Sequence, residues 1–139
     1  MRVLLDTTCL FDFMERPGMF LDFERRVPAA RGTDSCVSTV SIWEMHLKHK
    51  ARHRSGQRKS RFSPGDVVAA LEEQDMTYLP ITMRHAASEL EIPLSHNDPF
   101  DELLLVQAQE EGLRLLTVHK RLSVILLRWP FTNLNGCPP

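Results

Sequence analysis

Four short apolar runs, set apart by helix-length segments, constrain this chain most. RVLL (2–5), CVSTV (36–40), TYLPI (77–81) and LRLLTV (113–118) are too short for stable helices and rich in branched residues, so they read as strands. The segments between them carry helix punctuation. Thr7 and Thr8 can cap a helix over Leu10, Phe11, Phe13 and Met14, which Pro17-Gly18 breaks, and a second helical piece falls near 19–27. Ser41-Ile42-Trp43-Glu44 matches the S-x-x-E capping box of a helix running to about Ala51. Residues 66–75 form a further helix, and Thr82 opens another to about Leu90, ended by Ile92-Pro93. Asp98 and Pro99 suit the N-cap and N1 of a helix over 99–111, which Gly112 closes. A turn of helix from Leu122 and a strand near Ile125–Arg128 complete the chain, and 132–139 is expected to fray. Strands alternating with helices make this an α/β fold with a largely parallel sheet, and 139 residues make it a single domain. Pro80 places the 77–81 strand at an edge.

Composition excludes several classes. Hydrophobic residues are 42% and charged residues 25%, ordinary for a globular chain. No apolar run approaches the ~18 residues of a membrane span. Asp6 comes too early for a signal peptide, so a cytoplasmic location is expected. Cys9, Cys36 and Cys137 form no CxxC pair, which argues against structural zinc and a disulfide framework. The net charge is −1, but its distribution is uneven: seven of the 17 Lys and Arg residues lie between Glu44 and Asp66, where there is no acid. Such a block can attract phosphates or simply be a solvated loop, and the polar, basic stretch 52–65 reads as a mobile one.

Functional groups of parallel sheets gather beyond the carboxyl ends of the strands. Asp6 follows the first strand, Glu44 lies one turn into the helix after the second, and His119 follows the strand 113–118. Asp98 and Asp101 open the helix leading into that strand. Each has a purely structural alternative: strand-end acid, capping-box partner, N-cap, first-turn acid, strand-end histidine. Asp101, however, heads a stripe with Leu105, Ala108 and Gly112, a small apolar face suited to packing inward. Carboxylates crowded into one place repel unless a cation joins them, and hard oxygen donors suit Mg²⁺ or Mn²⁺. Such an ion can activate water and steady a phosphoryl transition state.

In order and spacing, VLLDTTCLF, VSTVSIWEMHLKHK, LPIT and HNDPFDELLLVQAQEEGLRLLTVH resemble PIN-domain proteins, most of all the VapC-type toxins of bacterial toxin–antitoxin pairs. The resemblance covers about residues 2–120. It implies a parallel sheet of about five strands with helices on both faces, and a metal-dependent endoribonuclease leaving a 5′-phosphate and a 3′-hydroxyl. It assigns the metal-binding acids to Asp6, Glu44 and Asp101, an extra acid to Asp98, and an orienting hydroxyl to Thr8. Two positions depart from the pattern: His119 stands where a further acid is usual, and Glu102 where Arg often follows DPFD. Lys48, Arg52, Arg54 and Arg58 are the candidate RNA-binding cations. A cognate antitoxin and a homodimer are the implied partners, and Phe11, Phe13 and Met14 offer apolar surface for either. The alternative implied by His119 is a PIN-like module that binds RNA or protein without cutting. A phosphohydrolase on another doubly wound fold would want a second acid two positions after Asp6, where Thr8 stands.

Overall fold

The structure is a computed structural model. It describes residues 2–16, 18, 34–52, 54–91, 94, 97–118, 124–128 and 132–133, with the backbone alone from 118 onward. The helical piece expected at 19–27, the breaks at Pro17 and Ile92-Pro93, the turn of helix from Leu122, His119, Cys137 and 134–139 lie outside the described residues.

Strand β1 (Arg2–Leu5) leads into helix α1 (Thr7–Glu15), and β2 (Asp34–Ser38) into α2 (Thr39–Lys50). Then come α3 (Pro64–Glu73), β3 (Thr77–Leu79), the short α4 (Met83–Ala87), α5 (Pro99–Glu111), β4 (Arg114–Val118), β5 (Val124–Arg128) and β6 (Thr132–Asn133). They build one sheet of order β3-β2-β1-β4-β5-β6. The first four strands in that order are mutually parallel; β5 and β6 add antiparallel. The fold is thus the expected α/β, with a parallel centre of four strands and an antiparallel margin of two. β3 lies at the edge as expected, but it ends at Leu79, so Pro80 stops the strand rather than sitting within it.

Burial follows from this layering. Val3, Leu4 and Leu5 of the central β1 are all fully buried, because helices cover both faces of a parallel sheet. Period-two alternation sends Val3, Leu5, Val37 and Leu116 to one face, where Leu10 and Phe13 of α1 and Val67 and Leu71 of α3 meet them. Leu4, Cys36 and Leu115 point to the other face, against Leu104, Leu105 and Ala108 of α5. Phe13 is therefore core, while Phe11 and Met14 pack at its margin. Among the described residues no helix is long and apolar enough to cross a membrane.

Several helix starts differ from expectation, each for a local reason. Asp6, not Thr7 or Thr8, caps α1, accepting from the Cys9 backbone N–H at 2.6 Å. β2 ends at Ser38, and Ser38 Oγ accepts from Val40 N at 3.1 Å, so α2 begins at Thr39 and Ser41 already lies in its first turn. Ser41-x-x-Glu44 is therefore not a capping box. The capping box in this part of the chain is Ser63 with Asp66, opening α3. α4 stops at Ala87, short of Leu90. Asp98 and Gly112 act as expected: Asp98 Oδ1 accepts from Phe100 N at 2.9 Å and Asp101 N at 3.4 Å, and Gly112 takes the left-handed φ of 63° that favours glycine.

The basic stretch after α2 carries several hydrogen bonds of its own. Arg52 and Arg58 pair as an antiparallel bridge, and Lys59 N donates to Ala51 O. The Arg52 guanidinium donates to Gly56 O at 2.9 Å and that of Arg58 to His49 O at 2.8 Å. The arginines thus satisfy carbonyls that a tight turn would leave without partners.

Candidate active site

In the strand order 3-2-1-4 the chain leaves β1 towards β2 and later returns to the opposite side of β1 as β4. That reversal makes a crevice at the carboxyl ends of β1 and β4, where open α/β sheets place their ligands. Asp6 stands at its head. Its backbone N–H donates to Leu116 O at 2.9 Å, fastening the end of β1 to β4, and its carboxylate receives the Thr117 hydroxyl and the Cys9 N–H.

Asp6 is charged only against resistance. Burial pushes its pKa up to about 6, and the Asp101 and Glu44 carboxylates push the same way, while the Thr117 and Cys9 hydrogen bonds pull it down. That repulsion also places Asp6, Asp101 and Glu44 in one electrostatic neighbourhood, although nearly a hundred residues separate the first from the last in sequence.

Glu44 is only 7% exposed. Its Oε1 lies 3.5 Å from Lys48 Nζ, one helical turn on, and its Oε2 is buried with no hydrogen-bond partner among the described residues. Beneath it, Ser41 Oγ accepts from Thr7 Oγ1 at 3.2 Å, locking the first turn of α2 to that of α1. A buried carboxylate oxygen without a donor is costly, and a cation relieves it. A cation near Asp6 would likewise favour its charged form, which burial disfavours most. The residues present therefore fit a hard divalent ion. They do not form a closed cage: among the described residues no group of three or more His, Cys, Asp or Glu side chains is disposed to hold a metal by itself. Mg²⁺ does not need one, since it keeps several waters and takes one or two carboxylates.

Of the other candidates, Asp98 caps α5. Thr8 is exposed, while the Thr117 hydroxyl acts on Asp6 and that of Thr7 donates to Ser41. His119 lies outside the described residues. Of the expected RNA-binding cations, Arg52 and Arg58 are engaged in their own turn, Arg54 is exposed on it, and Lys48 lies against Glu44. Thr117 was the missed residue. Its signal was a hydroxyl two positions before His119, at the end of the strand beside β1.

A parallel sheet wound in both directions from β1, with Asp6 at its switch point, defines a doubly wound α/β protein. Residues 3–125 match the family model of the PIN domain, and the chain belongs to that family. No curated protein matches it in sequence. Among solved structures it is similar to VapBC from Salmonella typhimurium, seen in a crystal structure of DNA-bound VapBC. Identity is 16%, the match covers 84% of this chain and 86% of that one, and the TM-score is 0.55. At that identity the likeness shows a shared fold.

Proposed function

We propose that this protein is a divalent-metal-dependent endoribonuclease acting as the toxin of a toxin–antitoxin pair. The observation that supports the reading is Asp6 at the switch point, its pKa raised by burial and further by the Asp101 and Glu44 charges, with Glu44 keeping a buried oxygen that has no donor among the described residues. The family membership and the VapBC-like fold support it. Asp6, Glu44 and Asp101 would hold Mg²⁺ or Mn²⁺, which when bound lowers the pKa of water and stabilises phosphoryl charge. Thr117 orients the Asp6 carboxylate. Water adds to phosphorus, the bond to the 3′-oxygen breaks, and the products carry a 5′-phosphate and a 3′-hydroxyl. Arg54, on its braced turn, is a contact for the RNA backbone outside the crevice. A cytoplasmic location, a homodimer and an antitoxin covering the acidic crevice complete the reading.

The test is incubation of purified protein with labelled structured RNA in Mn²⁺, Mg²⁺ or EDTA, beside Asp6→Asn. Cleavage should need metal and fall at least ~100-fold in the variant, as expected when a group binding the catalytic ion is lost. His119, in place of the expected acid, favours a second reading: a module that binds RNA without cutting. Equal RNA binding by both proteins with no cleavage in any metal would establish that module and end the enzyme reading.

A further inference from the structure

We propose that Lys48 is a substrate-positioning residue, whose ammonium receives a phosphate of the RNA strand at the mouth of the carboxylate site. This rests on the nuclease reading and adds a residue to it. Two elements hold Lys48: Nζ lies 3.5 Å from Glu44 Oε1 on its own helix and 5.1 Å from the centre of the Phe11 ring on α1. The side chain is still 44% exposed, and an ammonium has three N–H donors, more than the one Glu44 contact uses.

The Glu44 carboxylate is divided by this contact. Oε1 faces Lys48 and Oε2 is buried without a partner. Lys48 therefore sets a partly exposed cation on one oxygen of a buried acid of the site. A phosphate approaching three carboxylates is repelled, and an ammonium at the rim offsets that field at close range. A long, half-exposed ion pair contributes little to stability, so holding the fold together does not account for the position. Three arginines of the same basic stretch are engaged elsewhere: Arg52 and Arg58 with nearby backbone carbonyls, Arg61 with Glu15 at 2.9 Å. A compact charge on a flexible stem also suits a phosphate whose place shifts during reaction.

The experiment has two arms. In the first, a fluorescein-labelled single-stranded RNA oligonucleotide is titrated without divalent ion onto Asp6→Asn and onto Asp6→Asn carrying Lys48→Met or Lys48→Arg, by anisotropy across a salt series. Lys48→Met should weaken binding about 5–10-fold and lower the salt slope by about 0.7, the contribution of one phosphate contact on a single strand. Lys48→Arg should restore both. In the second arm the same substitutions are made in the otherwise unchanged protein. Lys48→Met should raise KM by a similar factor with kcat within about twofold, and the rise in melting temperature on adding Mn²⁺ should persist. An unchanged salt slope, or a kcat loss at constant KM and affinity, would overturn the proposal, since Lys48 would then act only through Glu44. If the unchanged protein cuts no RNA, the nuclease reading fails, and the anisotropy arm still decides whether Lys48 takes a phosphate.

Discussion

At the residue scale, Asp6 does two jobs that conflict. As the N-cap of α1 it supports the fold, and as a half-buried acid repelled by Asp101 and Glu44 it opposes it. A folded-state pKa of about 6, against 3.8 for the free side chain, means the folded form holds this proton over a pH range where the unfolded chain has lost it. Stability from this group is thus fully present below pH ~4 and is lost as pH rises towards and through ~6. The integrated loss is on the order of 3 kcal/mol. Asparagine caps as well as aspartate and carries no charge. Asp6→Asn should therefore unfold at higher urea than the parent at pH 7.5 in EDTA, with the gap closing near pH 4. A gap that stays constant with pH would mean Asp6 is not the strained group. Mn²⁺ should narrow the gap from the other side by stabilising the parent more than the variant.

At the scale of the element, the helix ends separate what short-range chemistry fixes from what it leaves open. Gly112 was legible because only a residue free of a Cβ penalty closes a helix cheaply at positive φ. Nothing lies within 4 Å of where a Cβ would stand, so Gly112→Ala should cost backbone strain alone, about 1 kcal/mol, seen as a fall of roughly 4 °C in melting temperature. The start of α2 was misplaced because Ser38 and Ser41 are both competent caps, and sequence spacing with Glu44 favoured the second. The parallel pairing of β2 with β1 and β3 runs through Val37 and Ser38, which makes Ser38 the first residue able to turn into the helix. Ser38→Ala should destabilise by about 1–2 kcal/mol, through an unsatisfied Val40 N–H in a buried setting. Denaturant midpoints for this variant that match the parent would return the cap to Ser41. The basic stretch has the composition of a loop, and two of its arginines donate to nearby backbone carbonyls.

At the scale of the whole molecule, one side chain ties distant elements together. Gln107 of α5 is fully buried and its amide nitrogen donates to Leu79 O at 3.0 Å and Pro80 O at 3.3 Å, fastening the helix to the end of edge strand β3. Its Oε1 has no partner among the described residues, so part of that gain is offset. Gln107→Leu removes the orphaned oxygen along with the two donated bonds, and the net loss should be about 1–2 kcal/mol. Hydrogen exchange should show it as faster exchange at the amides of β3, with β1 unaffected; uniform loss across the sheet would contradict a local tie. The sequence by itself determined the alternation of strands and helices, the two-sided burial of β1, the capped start of α5 at Asp98 and its stop at Gly112. These depend on hydrophobic period, cap chemistry and backbone sterics, which act within a few residues. Tertiary structure alone decided that Glu44 is a buried acid with a spare oxygen rather than half of a capping box. It also decided that the Thr117 hydroxyl falls on Asp6 and that Asp101 and Glu44 bear on the same carboxylate. Those outcomes depend on which strand lies beside which, because only the order of the sheet brings residues so far apart in sequence within reach of one another's charge.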